Sequence, residues 1–129
     1  MKITTAKSAG FCFGVHRAVD VVYKEVENGG NVYTFGPIIH NEEVVEELKR
    51  KGVRVINSLE ELKEAPKGTI ILRSHGVTEA IYQEITSYGH EIKDATCPFV
   101  TKIHKVVREQ SEQGRYIIII GNRNHPEVE

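Results

Sequence analysis

Apolar residues in this chain recur at two alternating periods. "GVHRAVDVVYKEVEN" places Val15, Ala18, Val19, Val22 and Val26 at helical spacing, so a helix is predicted from about Gly14 to Asn28, stopped by Gly29-Gly30. "NVYTFG" reads as a strand. Asn41 is placed to cap the next helix, with Val44, Val45 and Leu48 on its apolar side and Gly52 ending it. "VRVI" is a strand, and "SLEELKEAP" carries Ser58 and Glu61 at capping-box spacing before Pro66. "TIILR" has the unbroken apolar character of a buried parallel strand. A helix from about Thr78 to Tyr88, the strand "EIKDA", and a helix from Pro98 to Gln113 follow. The last of these places Val100, Ile103, Val106 and Val107 along one side. "KITTA" at the start reads as a weak first strand and "RYIIIIG" as a last one. Strands alternating with helices of this length predict an α/β fold: a parallel sheet flanked by helices, joined by right-handed crossovers. Because a helix does not follow the last strand, the chain is expected to be part of a longer protein.

Composition narrows the setting. The 129 residues are 40% hydrophobic and 27% charged, the balance of a soluble globular domain. Seventeen basic residues against eighteen acidic ones give a net charge of −1, and no basic face stands out for a nucleic-acid backbone. "YIIII" is too short to span a bilayer, and "MKITTAKSAG" lacks a signal core, so a cytoplasmic location is expected, with both cysteines reduced.

Ligands of open parallel sheets bind beyond the carboxyl ends of the strands. Cys12, His40, His75, Cys97, His125 and Glu127 all follow predicted strands, whereas His16 and His104 fall on helices and His90 before a strand. A lone cysteine at a helix start is ordinarily a small buried hydrophobe, and a lone loop histidine a solvated group or a cap. His125 alone could simply precede a turn at Pro126, and Glu127 could be an ordinary surface carboxylate. Five such sites at one end of one sheet are harder to dismiss. A thiolate at a helix N-terminus is favoured by the macrodipole and the free amides, and it is a soft metal ligand. Two distant cysteines match neither a zinc-finger knuckle nor a CxxC redox motif, and are fewer than the three or four an iron–sulfur cluster normally takes. Imidazoles beside Gly76 could donate to a phosphate, and Glu127 could relay a proton. The residues alone leave three readings open: part of a metal-dependent reductase, an isolated diphosphate-binding module without redox chemistry, or a Cys/His zinc site.

"GFCFGVHRAV", "GPIIHN", "RSHGV", "DATCP" with "VTKIH", and "NHPEVE" occur in this order across the whole chain. In motif and spacing the chain resembles the 4-hydroxy-3-methylbut-2-enyl diphosphate reductase family, over somewhat less than the first half of that family's length. The resemblance implies a protein of three α/β lobes around a [4Fe-4S] cluster, with residues 1–96 as the first lobe and 97–129 as the start of the second. It implies reductive removal of a hydroxyl to give isopentenyl and dimethylallyl diphosphate, with electrons from a donor such as ferredoxin or flavodoxin. Cys12 and Cys97 would be cluster ligands; His40, His75 and His125 would contact the diphosphate; Glu127 would deliver protons. A third ligand cysteine is missing from these 129 residues, so the chain alone is expected neither to hold a stable cluster nor to turn over substrate.

Overall fold

The computed structural model describes residues 1–123, 125, 127 and 128; Asn124, Pro126 and Glu129, all in the "NHPEVE" motif, lie outside the described residues. Among the described residues the elements follow in the order α1 (Phe13–Asn28), β1 (Val32–Phe35), α2 (Glu42–Arg50), β2 (Arg54–Ile56), α3 (Leu59–Glu64), β3 (Thr69–Leu72), α4 (Glu79–Ser87), β4 (Glu91–Asp94) and α5 (Pro98–Glu112). The strands form one parallel sheet in the order β2-β1-β3-β4. Register places Phe35 beside Leu72 and Leu72 beside Asp94.

Alternation along the strands divides the core in two. Val32 and Ile71 pack with Ala18, Val19 and Val22 of α1 and Leu48 of α2. Tyr33, Ile70 and Leu72 pack on the other side with Leu62 of α3 and Ile85 of α4. Ile70 and Ile71 are both fully buried, so β3 faces helices on both sides, as its unbroken apolar run requires. Burying such a side chain contributes about 1.5–3 kcal/mol.

Local chemistry sets the helix starts. Asn41, Ser58 and Thr78 each accept a hydrogen bond from the backbone N–H three residues on. The predicted capping box is shifted by one residue: the Glu61 carboxylate accepts from the Asn57 N–H at 3.0 Å, not from that of Ser58. Its carboxylate therefore satisfies the amide just outside the cap.

Two expected strands are not formed. "KITTA" and "RYIIIIG" carry no strand pairing among the described residues, and Ile3, Ile118 and Ile120 stand 78%, 83% and 95% exposed. β-branched composition favours extended backbone only where a neighbouring strand supplies the hydrogen bonds. The apolar side of α5 divides likewise: Val100 is buried, while Ile103 and Val106 are exposed. No described helix is long and apolar enough to cross a membrane.

Candidate functional site

Loops beyond β1, β3 and β4 are joined by main-chain hydrogen bonds that continue the sheet past its strands. Ala95 N–H donates to Leu72 O at 3.2 Å, and two residues later Cys97 N–H donates to Ser74 O at 2.8 Å. Ser74 N–H donates in turn to Ile38 O at 3.4 Å. Each loop is also pinned by buried residues ahead of its functional one. Ile38 and Ile39 are in the core before exposed His40, Ser74 is buried before half-buried His75, and Ala95 is buried before Cys97. The sequence "GPIIHN" thus builds its own anchor.

The histidines meet. The His40 and His75 ring centroids are 4.7 Å apart, and His125 stands edge-on to His75 at 6.1 Å. Burial holds the His75 pKa below the ordinary 6.5, with His40, Arg73 and His125 adding to the effect and Glu127 opposing it. Its Nδ1 is shut off from solvent and has no hydrogen-bond partner among the described residues. His125 Nδ1 accepts from the Glu127 N–H at 3.2 Å, so the neutral ring carries its hydrogen on Nε2.

Cys12 and Cys97, both free thiols, are the N-cap residues of α1 and α5. These two helices differ from the others. α2, α3 and α4 begin with a side-chain oxygen cap and glutamate in the first turn. Neither α1 nor α5 has a side-chain cap bond or a first-turn acid. Their positive ends are therefore left for the sulfur atoms or an anionic ligand. The helix starts also touch. A Cβ on Gly14 would lie 2.5 Å from Cys97 Sγ, so only glycine leaves room for that thiol against the first turn of α1. Arg17 fixes the approach by donating to Thr96 O at 3.0 Å and Asp94 O at 3.3 Å.

His40, His75 and Cys97 thus stand beyond the carboxyl ends of β1, β3 and β4, with His125 beside His75 and Cys12 at the start of α1, where Gly14 meets Cys97; Cys12, His125 and Glu127 follow no strand among the described residues, because "KITTA" and "RYIIIIG" form none. One histidine was placed wrongly. His104, assigned to a helix away from this end, comes back to it: a Cβ on Gly76 would lie 3.4 Å from its Cε1 and 3.3 Å from Thr96 Cγ2. Its position less than two turns into α5 was the available signal. A concavity of about 490 Å³ lies elsewhere, lined by Pro37, Val45, Lys49, Arg54, Val55 and Asn57. None of the candidate residues lines it, so chemistry and not hollowness marks the site. Among the described residues no three His, Cys, Asp or Glu side chains are grouped to hold a metal ion.

The family model described as LytB protein matches residues 3–129. The chain belongs to the LytB family. It is 49% identical to the 4-hydroxy-3-methylbut-2-enyl diphosphate reductase of Thermoanaerobacter sp. (strain X514), covering 99% of this chain and 45% of the relative. It is 45% identical to that of Geobacter metallireducens over all of this chain and 45% of the relative. A solved (E)-4-hydroxy-3-methyl-but-2-enyl diphosphate reductase, described as the terminal enzyme of the non-mevalonate pathway, superposes with a TM-score of 0.82 at 40% identity, covering 95% of this chain and 43% of that one. The Plasmodium falciparum E-1-hydroxy-2-methyl-but-2-enyl-4-diphosphate reductase gives 0.88 at 31% identity, covering 95% and 38%. The chain therefore spans less than half the length of the relatives it matches.

Proposed function

We propose that this chain is the cluster- and diphosphate-binding N-terminal part of a 4-hydroxy-3-methylbut-2-enyl diphosphate reductase, which forms isopentenyl and dimethylallyl diphosphate. The observation that carries the reading is the meeting of His40, His75 and His125 at one end of the sheet, in a chain of the LytB family. Residues 1–96 are assigned to a first lobe and 97–129 to the start of a second. The setting is cytoplasmic, and the electron donor is a small redox protein such as a ferredoxin or flavodoxin.

The residues present fit part of a [4Fe-4S] site. Two soft thiols stand at uncompensated helix starts, and Gly14 leaves the space beside one of them. Cys12 and Cys97 would hold the cluster together with a thiolate from outside these 129 residues. When bound, the cluster supplies the electrons of the reduction.

The other side chains bind and protonate. His75, kept neutral by burial, presents an imidazole whose enclosed Nδ1 still needs a partner. His125 points an Nε2–H donor away from its bond to the Glu127 amide, and His40 lies open to solvent against His75. Three imidazoles can share the oxygens of one diphosphate. The Glu127 carboxylate, close enough to influence His75, holds the proton delivered to the substrate as the hydroxyl leaves.

The reading is tested in a chimera in which residues 1–129 replace the matching part of the Thermoanaerobacter reductase. The chimera is expected to show cluster absorbance and turnover with a chemical reductant. Glu127→Gln should keep the absorbance and lose at least about a hundredfold in kcat. Cys12→Ser should lose the absorbance itself, since an alcohol is a far poorer ligand for iron. Near-normal turnover by Glu127→Gln would remove the proton role, and a normal spectrum in Cys12→Ser would remove the ligand role.

A further inference from the structure

Arg73 stands between the two loops that carry His40 and His75, outside every role assigned above. It follows the last residue of β3 and is half-buried. Its Nε donates to the Gly76 carbonyl at 3.4 Å, which steers the side chain back over its own loop. Its far end reaches the other loop. A Cβ on Gly36, the residue after β1, would lie 3.3 Å from one guanidinium nitrogen of Arg73 and 3.6 Å from its Cδ. Gly36 (φ +71°) and Gly76 (φ +81°) both occupy the left-handed region that favours glycine. The side chain therefore lies across two glycine bends, one leading to His40 and the other following His75.

The main-chain bond between them, from Ser74 N–H to Ile38 O, is 3.4 Å long, at the weak end of the range. The neighbouring link, from Cys97 N–H to Ser74 O, is 2.8 Å. The β1–β3 side of the site thus has the longer of its two backbone links, and the Arg73 guanidinium reaches across that side. A guanidinium suits this use: it is planar, always charged, and loses little freedom per contact. Its charge also adds to the effects that keep His75 neutral.

We propose that Arg73 is the positioning residue of the imidazole site: braced against the Gly36 turn and bonded to the Gly76 turn, it sets the spacing of the His40 and His75 rings. The bracing stands on the ligand-free geometry, and only its consequence for affinity rests on the diphosphate reading. A brace fixes the rings before the ligand arrives, so its loss weakens binding through lost preorganisation.

The test uses the full 129-residue chain with isotope-labelled histidine. In the ligand-free protein, a nuclear Overhauser effect between the His40 and His75 ring protons reports the 4.7 Å ring contact. Arg73→Met is expected to lose that effect, and Arg73→Lys to lose most of it, because an ammonium keeps the charge without the flat fork. Inorganic pyrophosphate is then titrated against the histidine resonances. The Met variant should bind roughly tenfold more weakly than the parent, with Lys closer to Met than to Arg. Persistence of the ring contact in Arg73→Met overturns the proposal, as does full recovery of contact and affinity in Arg73→Lys, which would leave charge alone as the cause. If Arg73→Met fails to fold, the ring contact in Arg73→Lys decides. If the parent ignores pyrophosphate but Arg73→Met loses the ring contact, the brace stands and the diphosphate reading falls.

Discussion

β3 and the run at 117–120 are built from nearly the same residues and have opposite fates. Thr69–Leu72 lies between two strands, with Ile70 and Ile71 fully buried. Ile117–Ile120 is unpaired among the described residues, with exposures from 36% to 95%. α1 and α5 repeat the contrast. α1 buries Ala18, Val19 and Val22, whereas α5 buries Val100 and leaves Phe99, Ile103 and Val106 open. A periodic apolar pattern specifies a face; whether that face is buried depends on which elements stand opposite.

The sharpest break of this comparison is a matched pair of truncations. Ile70→Ala should cost roughly 2–5 kcal/mol, because a buried methyl-rich side chain leaves a cavity. Ile118→Ala, removing the same atoms from an 83% exposed residue, should stay within about 0.5 kcal/mol. Urea unfolding of both variants at one pH measures the difference, and equal costs would mean that the 117–120 run is packed in solution.

Glycines extend the comparison to the backbone. A Cβ on Gly68 would collide with the Asn31 carbonyl, beside the bond from Thr69 N–H to that same oxygen. Gly68→Ala should cost about 2–3 kcal/mol through displaced backbone. Gly114 follows α5 with φ +72° and has nothing within 4 Å of an added Cβ. Gly114→Ala should cost only the left-handed penalty, about 1–2 kcal/mol. The same unfolding measurement ranks them, and a larger loss at Gly114 would reverse the assignment.

The smallest expected effect is acid-dependent. His75 takes up a proton less readily in the fold than in the unfolded chain, where its pKa is near 6.5. The unfolded state therefore binds more protons as pH falls, and this contribution to stability is lost on acidification below about that value. His75→Gln should unfold with a flatter pH dependence between about pH 7 and pH 5 than the parent. Parallel slopes in urea midpoints would show that His75 is no less basic in the fold.

Much of this molecule was legible before any coordinates. The four parallel strands and the helices between them were visible because Gly29 and Gly52 mark helix ends, and Asn41 and Ser58 mark starts. The meeting of His40 and His75 followed from their common place after neighbouring strands. Expectation failed where an outcome hung on distant partners. "KITTA" and "RYIIIIG" have strand composition but no adjacent ladder. His104 was discounted because helical phase gives no measure of how far α5 leans over the Gly76 turn. Arg73 was read as the end of the strand "TIILR", whereas it follows the last residue of β3 and reaches the bend at Gly36.

The hydrogen bonds that outrun β3 and β4 act as a ruler. Leu72 and Asp94 are register partners, and His75 and Cys97 each stand three residues beyond them. The Cys97-to-Ser74 bond keeps the two loops in step just before the imidazole and at the thiol. Past the strands the β3 side closes into a turn, with Gly76 N–H donating to Arg73 O at 3.0 Å, so the position of His75 depends on the number of residues leading into that turn. Loop length here is therefore a coded quantity. A residue inserted between Leu72 and Ser74 would break the step that the Cys97-to-Ser74 bond keeps, while many substitutions at the same positions would leave the count intact. Over evolutionary time, this edge of the sheet should accept new letters far more readily than new lengths.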